Sequence, residues 1–82
     1  MHELSLVSQI ITQVGDDAVR HGLNKVYSVT LAVGRQAHVQ ADALTFGFDA
    51  AKRGTVLQEA ELVIVAADGD ELEVQEYEGE RD

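Results

Sequence analysis

The stretch Val26-Tyr27-Ser28-Val29-Thr30-Leu31-Ala32-Val33-Gly34 alternates, with Tyr27, Val29, Leu31 and Val33 on one side and Ser28 and Thr30 on the other. Successive side chains of a strand point to opposite faces, so this pattern predicts a strand with one buried face. Such a face must be covered, and the chain on either side supplies two amphipathic helices. Upstream, Leu4, Val7, Ile11, Val14 and Ala18 recur at helical spacing, and Leu6 and Ile10 widen the stripe. The first helix is expected from Leu4 to Arg20. Gly22 supplies the left-handed position that ends it, and His21 is read as a cation favoured by the helix C-terminal dipole. Gly15 is its weak point, costing about 1 kcal/mol relative to alanine. Downstream, Ala41 to Arg53 returns to helical period, with Leu44, Phe48 and Ala51 in one row and Ala43, Phe46 and Ala50 beside it. Lys52-Arg53-Gly54 is the stop signal, and Phe46 and Phe48 are both assigned to the core.

Beyond a short connection, Glu61 to Ala66 contains Leu62-Val63-Ile64-Val65, apolar on both sides and rich in β-branched residues. It reads as the central strand. Asp68-Gly69 then reads as a tight hairpin turn into a returning strand, Glu71 to Tyr77. In that strand Leu72 and Val74 point inward, and the alternation slips at Glu76-Tyr77. The expected fold class is α+β: an αβαββ chain with two helices packed on one face of a three-stranded sheet, a two-layer arrangement. No repeat or linker interrupts it, so residues 1–82 form one domain.

A chain of 82 residues with 45% hydrophobic and 26% charged residues has the composition of an ordinary globular domain. Its formal net charge of -9 repels phosphate backbones and anionic lipid surfaces, so nucleic acid and membrane are poor partners. The acidity is concentrated in 68–82 and reads as a solvated face and tail. There is no cysteine, so any metal must be held by nitrogen and oxygen donors. No apolar run approaches the roughly 18 residues of a membrane span, and no signal peptide precedes the first helix, which makes the cytoplasm the expected location. Neither a paired nucleophile and base nor a phosphate-binding glycine loop is spelled out, so a binding protein is favoured over an enzyme.

The first three residues, Met1-His2-Glu3, carry chemistry of their own. Initiator methionine is removed only ahead of small residues, so Met1 is expected to stay ahead of His2. Its free amine, the His2 amide nitrogen and the His2 imidazole then close two fused chelate rings on one ion. Glu3, through its amide or carboxylate, or a side chain from elsewhere fills the fourth position. A tetragonal N,O set suits Ni(II) or Cu(II), whereas a closed zinc site prefers a tetrahedron of thiolates and imidazoles.

The opening Met1-His2-Glu3-Leu4-Ser5-Leu6-Val7 is followed by His21-Gly22, Val29-x-Leu31-x-Val33-Gly34, Ala43-Leu44-x-Phe46-x-Phe48 and Gly54-Thr55 with Ala60-Glu61-Leu62. This ordered set resembles the HypA/HybF family of hydrogenase nickel-insertion proteins. Glu71-Leu72-Glu73-Val74 resembles the family's last strand. The resemblance implies a cytoplasmic Ni(II) carrier for maturation of [NiFe]-hydrogenase, in some relatives of urease, with a HypB-like GTPase and the hydrogenase large subunit as partners. It implies nickel binding at Met1, His2 and Glu3. Relatives carry a zinc module of two Cys-x-x-Cys pairs between the last two strands, and here Asp68-Gly69-Asp70 stands in that place. No zinc site is therefore expected. Relatives also read Gly-Glu-x-Ser-x-Val and an acidic residue before the second helix, where this chain has Gly34-Arg35-Gln36-Ala37-His38-Val39-Gln40. Gln40 thus replaces that acid, Asp42 is the nearest carboxylate, and His38 is an added imidazole. His38 is first a solvated loop histidine and second a candidate fourth ligand. The alternative function is a small protein-interaction module of the same fold that has lost metal handling.

Overall fold

In the computed structural model the described residues are 3–81, and they form helix α1 (Glu3–Arg20), strand β1 (Leu23–Gly34), helix α2 (Ala41–Ala51), strand β2 (Glu61–Ala67) and strand β3 (Leu72–Arg81). The expected αβαββ order and the two-layer α+β class hold. Both glycines assigned to helix ends have positive φ, 79° at Gly22 and 78° at Gly54, a region that side chains with a Cβ enter only at a cost. The helices present Val7, Ile10, Ile11, Val14, Ala18, Leu44 and Phe48 to Val26, Val29 and Leu31 of β1, which form the buried core.

The strand order departs from expectation. It is β2-β1-β3, so β1 is central and β2 is an edge. β1 runs parallel to β2, which α2 makes possible as the crossover, and antiparallel to β3. The apolar run of β2 was misleading because its outward residues are apolar without being covered: Leu62 and Ile64 pack on the core, while Val63 and Val65 remain 38% and 39% exposed.

Asp68-Gly69 is consequently no hairpin, since β2 and β3 lie on opposite sides of β1. The connection instead crosses the end of β1, where Gly34 N donates to Glu71 O at 2.7 Å, Arg35 N to Ala67 O at 3.1 Å and Gln36 N to Gly69 O at 2.9 Å. Residues 68–71 have about two strand spacings, or 10 Å, to bridge, within reach of four extended residues.

Two of the three register shifts between β1 and β3 decide which of their central side chains face inward. Val26 pairs with Gly79 and Ser28 with Glu78, leaving Tyr27 as an extra residue of β1. Tyr27 is thereby turned out of the row that it was expected to share with Val29, and it is 44% exposed while Val26 is buried. On β3, Thr30 pairs with Glu76 and Leu31 with Val74, which leaves Gln75 over and brings Tyr77 back to the inner face opposite Val29. That second bulge is the slip read at Glu76-Tyr77. Elsewhere Phe46 is 78% exposed, not core, because α2 buries the narrow row Leu44, Gly47, Phe48, and a residue two places from Phe48 points away from it. Leu4 likewise stands 61% exposed at the start of α1. The connection after α2 adds a core residue of its own, Leu57, held where Thr55 Oγ1 accepts from its amide at 3.0 Å and donates to Lys52 O at 2.7 Å.

Candidate metal centre at the start of the first helix

α1 begins at Glu3, whose carboxylate sits in the first turn, where the unpaired N–H groups favour an anion. That turn lies beside the middle of α2. A Cβ on the buried Gly47 would stand 3.2 Å from Val7 Cγ2 and 3.7 Å from Leu4 Cδ1, so the absent side chain is what lets the two helices approach. Met1 and His2 lie outside the described residues. The remaining candidates surround the start of α2. His38 is exposed and holds a left-handed φ of 58°. Gln40 is the N-cap residue; its side chain makes no capping hydrogen bond, and its carbonyl accepts from Leu44 N at 3.0 Å. Asp42 is exposed in the first turn of α2, a position that the helix dipole favours.

Among the described residues no three His, Asp or Glu side chains converge to hold a metal ion. Glu3, His38 and Asp42 therefore do not form a centre by themselves.

The far end of α1 carries a different cluster. Tyr77 of β3 donates to Asp17 Oδ2 at 2.5 Å, and Arg20 donates to Asp17 Oδ1 at 3.2 Å. The Tyr77 hydrogen bond, then Arg20 and His21, hold the Asp17 carboxyl below its ordinary value of 3.8. Burial, and next the hydrogen bond to Asp17, push the Tyr77 phenol up. His21 sits at the helix end with Nδ1 2.8 Å from the Asp17 carbonyl, as expected of a residue at a C-terminal dipole. This cluster ties helix to sheet and holds the layer that carries the α1 start. Nothing in the local sequence signals it, because Asp17 and Tyr77 meet only through the fold.

A depressed carboxyl contributes stability above its unfolded pKa, and loses that contribution as pH falls through the folded value. Tyr77→Phe is therefore expected to lower the urea midpoint at pH 6, and the gap to the parent should narrow at pH 3. A gap that is the same at both pH values would show that Asp17 is not coupled to Tyr77.

No helix among the described residues is long and apolar enough to cross a membrane. The described residues form a small two-layer α+β domain whose candidate donors gather at the starts of its two helices. A profile of the family described as "Hydrogenase/urease nickel incorporation, metallochaperone, hypA" matches residues 1–70, and the chain belongs to this family. The hydrogenase maturation factor HypA of Beijerinckia indica is 42% identical over 69 residues, covering 84% of this chain and 61% of that protein. The Chlorobaculum tepidum factor gives the same figures, and that of Chloroflexus aurantiacus is 45% identical over 64 residues, 78% of this chain and 56% of its own. The chain thus spans about 61% of the length of such relatives. The solution structure of the Ni metallochaperone HypA from Helicobacter pylori has the same fold, with a TM-score of 0.90 at 17% identity over all of both chains. The profile match ends at the 68–71 connection, whereas the structural likeness continues through β3.

Proposed function

We propose that this chain carries Ni(II) for the maturation of a [NiFe]-hydrogenase or a urease, and holds the ion at Met1-His2-Glu3. The supporting observation is that the family match begins at residue 1 and takes in this triplet. The Met1 amine, the His2 amide nitrogen and the His2 imidazole supply three donors, and Glu3 at the start of α1 is the nearest fourth. His38 and Asp42 stand at the start of the neighbouring helix as the less favoured alternatives, and Gln40 offers only a neutral oxygen. A carrier must release its cargo, which suits a terminal site built from few donors. Residues 1–82 act as a single nickel-binding domain in the cytoplasm, with Asp68-Gly69-Asp70 in place of a zinc module and no bound zinc. A HypB-like GTPase and the hydrogenase large subunit are the partners that fit this role.

Calorimetric titration of Ni(II) tests the site. The untagged protein is compared with His2→Ala and with a form extended by residues ahead of Met1. Both changes are expected to weaken binding at least about tenfold, a loss of about 1.4 kcal/mol. Binding by the untagged protein should also fall as pH drops through the imidazole range near ~6.5, because the ligands must be deprotonated. Equal binding by all three proteins would remove the N-terminal site and leave the interaction-module reading.

A further inference from the structure

The helices cover one face of the sheet, and the strand register defines the other face row by row. Val63 pairs with Thr30, and Thr30 with Glu76; Val65 pairs with Ala32, and Ala32 with Glu73. Paired residues point to the same side, so the open face carries three columns. Val63 and Val65 lie along β2, with Glu61 at the end of their column beside Ser28; small side chains lie along β1, and carboxylates along β3, where Glu78 continues the acidic column on the other side of Ser28. The centre is shallow, since Ala32 is recessed to 2% exposure between its neighbours, while Val63 and Val65 stand clear. The apolar and acidic columns are about two strand spacings, or ~10 Å, apart. Among the described residues, no cation pairs with Glu73, Glu76 or Glu78: the ion pairs formed by Arg20, His21, Lys25, Arg35 and Lys52 go to Asp17, Glu59, Asp68 and Asp49.

We infer that this open face docks a basic amphipathic helix of a partner protein, laid along β1 with apolar side chains on Val63 and Val65 and Lys or Arg on Glu73, Glu76 and Glu78. A helix is about 10–12 Å across with its side chains, which matches the separation of the two columns. Its two edges would meet surfaces of opposite kind, an arrangement that fixes orientation as well as affinity. Charge selects this occupant. A second copy would bring another acidic column and another net charge of -9, and anionic lipid or nucleic acid would be repelled in the same way. The inference goes beyond the nickel reading and does not depend on it.

The probe is a synthetic helical peptide of about five turns with Leu along one side and Lys along the adjoining side. Binding is read by fluorescence anisotropy, and amide chemical shifts of the labelled protein locate it. Shifts are expected along β1, β2 and β3, with those of α1 and α2 largely unmoved. Glu73→Lys with Glu78→Lys should weaken binding tenfold or more, as should Val63→Thr with Val65→Thr. Asp16→Lys with Asp49→Lys, which changes net charge equally on the helix side, should shift it less than threefold. A peptide of the same charge with Ser for Leu should also bind tenfold more weakly. If the Lys pair disturbs the amide spectrum, Glu73→Gln with Glu78→Gln replaces it, with a loss of at least threefold expected. Equal effects from the two Lys pairs, shifts centred on the helices, absence of binding, or self-association that Val63→Thr with Val65→Thr abolishes would each overturn the proposal. Nickel titration of the Glu73 and Glu78 variants should match the parent, so failure of the docking face and failure of the metal site are read separately.

Discussion

Phe48→Ala is expected to cost about 3–5 kcal/mol, whereas Phe46→Ala, two residues away, should fall within about 0.5 kcal/mol of the parent. Phe48 is among the largest fully buried side chains and packs in the cluster that joins both helices to β1. Truncating it removes the burial of a whole ring and leaves a cavity that the two-layer packing can close only in part. At about 0.05–0.15 kcal/mol per residue, a domain of this size holds about 4–12 kcal/mol in total, so the loss could consume most of it. Phe46 projects into solvent from the same helix and supports no neighbour in the core. Urea unfolding of the two variants checks the contrast. Similar midpoints would mean that the inward row of α2 has been misassigned.

Gly34→Val is the second large effect, of the order of 3 kcal/mol, and its cause is backbone rather than side-chain packing. A Cβ on Gly34 would lie 2.1 Å from Gly69 O, 2.6 Å from Gly69 C and 2.8 Å from Glu71 N. None of these atoms can rotate away, so the connection must lift off the end of β1. Lifting it strains the hydrogen bonds from Gly34, Arg35 and Gln36 to residues 67–71. Gly54→Ala is the matched control. It meets nothing within 4 Å and is strained only by a φ of 78°, which costs about 1–2 kcal/mol. If Gly34→Val were no worse than Gly54→Ala, the crossing of 68–71 over β1 would be wrong.

The elements could be read from the sequence because helix and strand periods are local. Leu44 and Phe48 announce α2, and Val29 and Leu31 announce β1, without reference to anything distant. The strand order could not be read in that way. Val63 and Val65 look like residues covered on both faces, yet only pairing decides which strand lies in the middle, and pairing is not written in either strand alone. Tyr27 failed for a related reason, since the bulge that turns it outward is a property of β1 and β3 together. At the candidate site, the proposed Met1-His2-Glu3 chelate rests on residue type and position together with the family resemblance. Gly47, which brings the start of α1 against α2, was hidden because a glycine inside an apolar row signals only a weaker helix.

The central place of β1 also sets the order of events during synthesis. Leu31 pairs with Ile64 on one side and with Val74 on the other, so both ladders join segments far apart in the chain. Loop closure must precede any gain from such contacts, and this slows folding relative to a helical bundle of equal size. As the chain leaves the ribosome, β1 has a helix to rest on at once but waits through α2 for its first neighbour and until residues 72–81 for its second. During that interval its open edges are exposed to wrong pairing, and the late, glutamate-rich β3 is the strand that closes the last of them.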